Sequence, residues 1–282
     1  MIVPSSGGTG EATARATPAR RVGARVPVGL LVPAGIGLAF LVLPLLGLLL
    51  RTPWSTLLDR LAAPGALTAL RLSLQTATIA TVICVLLGVP LAWLLARVDF
   101  PGRKLVRALV TVPLVLPPVV GGVALLLIFG RRGLVGSWLL ATFGFALPFS
   151  TTAVVIAEAF VAMPFLVIAV EGALRGADTR YEEAAATLGA TRWTAFRRVT
   201  LPLVAPGIAA GAVLCWARAL GEFGATITFA GNTPGITQTM PLAVYLALET
   251  GELENAIVLS LVLLTVSVAI LVGLRDRWLT TP

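Results

Sequence analysis

Arg218 and Glu222 stand four residues apart in a stretch otherwise built from Ala, Gly, Leu and Phe. Charges in so apolar a run are expensive, and they persist where they pair with each other or face a polar interior. Gly221 and Gly224 flank the pair and permit close helix approach, and Thr226 and Thr228 follow with hydroxyls. Two readings stand for the residues alone: an ion pair closed on itself, or an element of a gate. Glu158 is a further carboxylate in an apolar run, protonated and hydrogen-bonded or facing a pathway, with no partner legible from the sequence. Enzyme chemistry finds little to use. There is no His, which excludes His-based triads and His metal sites. Cys84 and Cys215 lie in apolar runs, where a buried Cys is an inert small hydrophobe. No Gly-x-x-x-x-Gly-Lys-Ser/Thr phosphate loop occurs in the sequence.

The elements that carry these residues follow from composition. The 282 residues are 57% hydrophobic and 12% charged, with a mean hydropathy of +0.97. A water-soluble surface needs about 25% charged residues, so the chain is an all-α polytopic membrane protein. Runs long enough to span lie at 27–50, 72–96, 105–129, 151–174, 203–224 and 256–274, giving six transmembrane helices. The apolar stretch 134–147 is too short to cross and is expected on the surface or re-entrant. Residues 1–26, rich in Gly, Pro, Thr and Arg, read as a disordered basic cytoplasmic leader ahead of a transmembrane domain over 27–282. With both termini inside, fifteen Lys and Arg residues fall in inner segments. Five fall outside, namely Arg51, Arg60, Arg71, Arg131 and Arg132. That asymmetry predicts N-in and C-in orientation. The net charge of +8 is therefore topological, and the surroundings it implies are membrane lipid rather than nucleic acid.

One inner segment, 175–202, is denser in signals than the rest. Thr179 precedes Glu182 by the spacing of a capping box, and Glu182 and Glu183 favour the positive end of a helix. Tyr181, Ala185 and Leu188 share one helical face. Gly189 supplies a left-handed stop, and Thr191 can cap a second helix. A capped helix–Gly–helix of this kind suits docking into a groove on another protein; a surface helix lying among lipid headgroups is the competing reading.

Glu183-Ala184-Ala185, three residues, Gly189, nine residues, then Val199-Thr200-Leu201-Pro202 resembles the EAA loop of bacterial ABC-importer permeases, with Val199 where that pattern has Ile. The resemblance continues through Leu114-Val-Leu-Pro-Pro-Val-Val-Gly-Gly122, Gly130-Arg131-Arg132-Gly133, Ala217 to Phe229 and Asn232 to Pro241, and is specifically to the molybdate branch of those permeases. Sulfate permeases share the Gly221-Glu222-Phe223-Gly224 segment, so sulfate or thiosulfate is the alternative cargo, and tungstate is not separable from molybdate.

The resemblance implies a type I ABC-importer permease fold, a homodimer with a second copy of itself, and two ATPase subunits that bind ATP and Mg. It also implies an extracytoplasmic oxyanion-binding protein. Coupling to the ATPase would fall to Glu182, Glu183, Ala184, Ala185, Gly189, Leu201 and Pro202. Arg218, Gly221, Glu222, Gly224, Thr226 and Thr228 would be pathway or gate candidates. For Arg218 the resemblance adds direct contact with the oxyanion as a third reading, which Glu222 beside it opposes by repulsion. Arg131 and Arg132 would meet either solvent or an acidic face of the delivery protein. A secondary anion transporter remains the alternative from another class, though it would have no need of an EAA loop.

Overall fold

A computed structural model describes residues 28–278, helical in all their regular structure; the leader expected over 1–26 lies outside the described residues. The chain divides into two compact units, Met1–Gly47 and Leu48–Pro282. The described part of the first belongs to α1 (Val28–Arg51), whose 24 residues include Pro33 and Pro44. At about 36 Å it is long enough to cross a bilayer.

The second unit is built on four long helices. α2 (Leu57–Leu61) is a single turn before α3 (Pro64–Arg97). α3 starts eight residues earlier than the run at 72–96 suggests, because Pro64 fits the first turn of a helix and Arg71 does not interrupt it. α4 (Arg103–Val115), α5 (Pro118–Phe129) and α6 (Leu134–Phe143) follow, then α7 (Thr151–Gly176). α3 and α7 lie side by side and run the same way. Thr76 reaches Glu158, Gly88 sits against Leu166 and Val167, and Arg97 reaches the Ala177 carbonyl. Ala77, Ala80, Ala92, Ala159 and Ala162 line the buried cluster between them, so the two backbones approach closely along a seam of small residues.

α8 (Arg180–Thr187) and α9 (Arg192–Ala195) lead into α10 (Leu201–Leu220), which is antiparallel to both neighbours. Gly207 faces Ala173, Gly211 faces Leu166 and Ala169, and the Trp216 indole donates to Thr78 Oγ1 at 3.2 Å. α11 (Gly224–Phe229) and α12 (Met240–Glu249) precede α13 (Leu253–Trp278). In α13, Leu259 packs with Ala69, whereas Ile270 shares a groove with Leu74, Thr78 and Thr81. It therefore runs parallel to α3, and the ends of α3, α7 and α13 gather where α8 lies.

Five helices are long and apolar enough to span, and the expected third span, 105–129, is instead the pair α4 and α5, bent by 117°. The cause is local. Leu116 precedes Pro117, which forces it extended (ψ 132), and Pro117 is extended too before Pro118 opens α5. Because α3 and α7 are parallel, residues 98–150 must still carry the chain from one end of the bundle to the other, and the broken pair makes that return. α6 is a ten-residue helix, too short to cross, as expected of 134–147. Between the runs at 203–224 and 256–274, where hydropathy finds no span, the structure has α11 and α12. Thr239 followed by Pro241 in the first turn is the signal for α12 that hydropathy passes over.

Candidate functional site

The segment after α7 folds as its turn residues dictate. Gly189 has φ +83, its N–H bonds the Ala186 carbonyl and the Ala190 N–H bonds that of Ala185, so the chain leaves α8 through a left-handed stop. Thr191 Oγ1 accepts from the Thr194 N–H at 3.2 Å, capping α9. The expected capping box does not form. Thr179 is itself helical and its side chain caps nothing, while Asp178 Oδ1 accepts from the Arg180 N–H at 2.9 Å. Glu182 is drawn away to stronger partners: Arg97 at the end of α3 lies 3.2 Å from Oε1, and Thr200 Oγ1 donates to the same oxygen at 3.0 Å. Glu182 thus ties α8 to α3 and to the root of α10. Glu183 and Ala184 face outward, as do Tyr181, Leu188 and Trp193. Leu188 is 88% exposed, which leaves an apolar knob beside the glycine.

Leu201 and Pro202 stand where α10 begins. Pro202 cannot donate an N–H, and just before it the ladder widens to a π-helical turn over Phe196–Thr200, with the Leu201 N–H bonded to the Phe196 carbonyl. α9, the π turn and α10 form one helical rod over Arg192–Leu220.

At the other end of that rod lies the second group of candidates. α10 stops at Leu220, so the segment expected as one span to 224 is a helix, a corner and the short α11. Arg218 Nη2 is 2.6 Å from Glu222 Oε2, and Glu222 Oε1 accepts from the Ala225 N–H at 2.8 Å. Glu222, 1% exposed, is both the counter-ion of Arg218 and the cap of α11. Of the readings open for this pair, the geometry is that of a closed ion pair. Gly224 is a close-approach glycine, since a Cβ there would meet Pro118 at 2.8 Å. Gly221 is not: the nearest atom to a Cβ is its own helix's Ala217 carbonyl oxygen at 3.6 Å, and the residue serves as a helix end. Thr228 Oγ1 bonds the Gly224 carbonyl, whereas the buried Thr226 hydroxyl has no partner among the described residues. Glu158, unassigned from sequence, accepts from Thr76 Oγ1 at 2.9 Å.

α5 holds this corner in place through Gly122, where a Cβ would lie 2.7 Å from Thr228 Cβ and 2.8 Å from the Ala225 carbonyl oxygen. Gly122→Val is expected to cost about 1–3 kcal/mol by overpacking. A lowered thermal midpoint of the detergent-solubilised protein checks it, and an unchanged midpoint would contradict the packing.

The sequence pattern of the family described as binding-protein-dependent transport system inner membrane component matches residues 88–281. The chain belongs to that family. It is 48% identical over 252 residues to the molybdenum transport system permease protein ModB of Mycobacterium bovis, covering 89% of this chain and 95% of that protein. It is 35% identical over 258 residues to the sulfate transport system permease protein CysT of Escherichia coli, covering 89% and 93%. Its fold is similar to that of a bacterial ABC transporter involved in import of the acidic polysaccharide alginate, with a TM-score of 0.72 at 19% identity over 90% of this chain and 96% of that one.

As an ABC-importer permease of the inner membrane, the chain is the transport component and not the ATPase; it works with an ATPase and a binding protein. Two of its anchors escaped the sequence reading. Glu171 and Arg175, four apart at the end of α7, form an ion pair at 2.7 Å whose helical spacing was visible. The Arg97–Glu182 contact joins residues remote in sequence and had no local signal.

Proposed function

We propose that this permease carries molybdate inward as a homodimer, with two ATPase subunits docked on the α8 knobs and a binding protein delivering the anion at the opposite end. The observation that carries the cargo is the 48% identity over 252 residues to a molybdenum transport permease, against 35% for a sulfate one. Tungstate, a nearly isosteric dianion, shares the route. The excess of Lys and Arg in the segments gathered around α8 supports an inward-facing α8 end, with both termini inside. Glu183, Ala184, Ala185 and Gly189 present the docking face, Glu182 fixes its angle, and Leu201 and Pro202 pass its motion to α10.

A bare dianion in hydrocarbon costs on the order of tens of kcal/mol, so the pathway must be polar. The buried hydroxyl of Thr226, together with that of Thr239, offers donors that no described residue uses. Arg218 is occupied by Glu222, and its part is to hold the corner between α10 and α11 rather than to bind cargo.

The cargo is tested by molybdate uptake in cells lacking their own molybdate system, supplied with this chain and candidate partner subunits, in excess unlabelled sulfate. Uptake that resists sulfate is expected; full competition by sulfate would transfer the assignment to the sulfate class.

At the opposite end, Arg131 and Arg132 project from a turn locked by its glycines. A Cβ on Gly133 would lie 2.4 Å from the Ile128 carbonyl oxygen, and one on Gly136 2.0 Å from that of Gly130. Neither arginine has an ion-pair partner among the described residues. Their charge suits an acidic face of the delivery protein. Arg131→Glu with Arg132→Glu is expected to raise the binding-protein concentration needed for half-maximal uptake at least tenfold. An unchanged concentration dependence would remove these residues from the docking face.

A further inference from the structure

Where α3 ends and α4 begins, a pocket of about 520 Å³ lies outside the transport account. Four cations line it, Arg103, Lys104, Arg107 and Arg175, and two carboxylates serve them, Asp99 and Glu171. Arg103 is spent on structure: it pairs with Asp99 and donates to the Leu95 and Ala96 carbonyls. Arg107 and Arg175 converge on a single oxygen, Glu171 Oε1, at 2.6 and 2.7 Å. One buried carboxylate thus answers two guanidiniums, whose side chains remain 36% and 49% exposed. Exposed Lys104 has no side-chain partner among the described residues. The pocket is left with two positive charges in excess.

Backbone and surroundings add to this. α4 opens at Gly102 (φ +87) without a side-chain cap and with no acidic residue in its first turn, so its positive end faces the same space. Along its length Leu105, Leu109 and Val112 are exposed on one face. A basic helix start followed by an apolar stripe is the pattern of a segment lying at a membrane interface.

We infer that this pocket binds a tetrahedral oxyanion group, the shape that arginine forks and an ammonium recognise together. Two sources carry that chemistry, the phosphate of an anionic phospholipid and a free dianion. The headgroup source stands independently of the proposed cargo, whereas the free-anion source rests on it. Glu171 lies on α7, one turn before the chain enters the α8 segment, so occupancy there would brace the root of the knob.

The test uses the full chain in nanodiscs without partner subunits, so that it does not depend on uptake. In phosphatidylglycerol-containing discs, native mass spectrometry reads the lipid retained after mild delipidation. In phosphatidylcholine discs, calorimetric titration reads molybdate and inorganic phosphate. Lys104→Gln with Arg175→Gln is expected to weaken whichever ligand binds at least tenfold, Arg107 remaining to pair with Glu171. Should that variant unfold, Lys104→Gln alone carries the comparison, since Lys104 is exposed and holds no partner. Retained phosphatidylglycerol assigns the site to a headgroup, and titration by molybdate or phosphate assigns it to a free anion. Binding of neither, or binding that the variants leave intact, overturns the inference.

Discussion

Gly189→Asp is expected to abolish transport while leaving the protein folded in the membrane. The space around a Cβ at Gly189 is open within the chain, so nothing in this protein is displaced by the substitution. The cost is of two other kinds. At φ +83 a residue with a Cβ strains the left-handed stop by about 1 kcal/mol, less for Asp than for most residues. The larger effect is a carboxylate set beside the exposed Leu188, on the face proposed to enter the ATPase. An unpaired charge in such an interface costs about 2–5 kcal/mol, enough with the strain to reduce uptake by two orders of magnitude or more. Gly189→Ala separates the two, because it keeps the strain without the charge and is expected to lose tenfold or less. The measurement is uptake normalised to the amount of permease in the membrane. Normal uptake by Gly189→Asp would remove the knob from the coupling account.

The second large effect is expected at the α10–α11 corner. Arg218→Gln leaves Glu222 buried and without its counter-ion, and breaking one side of a buried pair costs about 3–5 kcal/mol. The protein is expected to lose thermal stability and to leak. Replacing both residues with Gln should recover at least half of that loss. It removes both charges together and leaves an amide oxygen able to accept from the Ala225 N–H. Thermal midpoints of the two single variants and the double variant, read as a cycle, give the coupling directly. Additive losses would show that the pair is not a unit and return Arg218 to the list of residues that meet the anion.

The parts of the fold that the sequence discloses are those written in local chemistry. Gly189 and Thr191 set their turns because a left-handed residue and a side-chain acceptor are needed at single positions, and both needs are legible in the residue type. Hydropathy likewise found the cores of the long helices. It failed at Leu116–Pro118, where an unbroken apolar run conceals a bend made by consecutive prolines, and at α12, a short helix in a stretch where it finds no span. The capping box at Thr179 was a sound local expectation overruled by tertiary contacts, since Arg97 and Thr200 offer Glu182 more than a backbone N–H does. Arg218 and Glu222 were visible as a pair by spacing, but that Glu222 also caps α11 depends on a helix break that composition does not announce. The partner of Glu158, Thr76, is remote in sequence, and no periodicity could name it.

The central claim is that this chain moves molybdate only when an ATPase drives it through the α8 knob. Proteoliposomes holding the permease with its ATPase, given loaded binding protein outside, test it by accumulation of molybdate with and without ATP at the ATPase face. Accumulation that requires both ATP and the ATPase is the predicted result. Accumulation that persists when the ATPase is left out, driven by an ion gradient alone, would contradict the account and point to a secondary transporter.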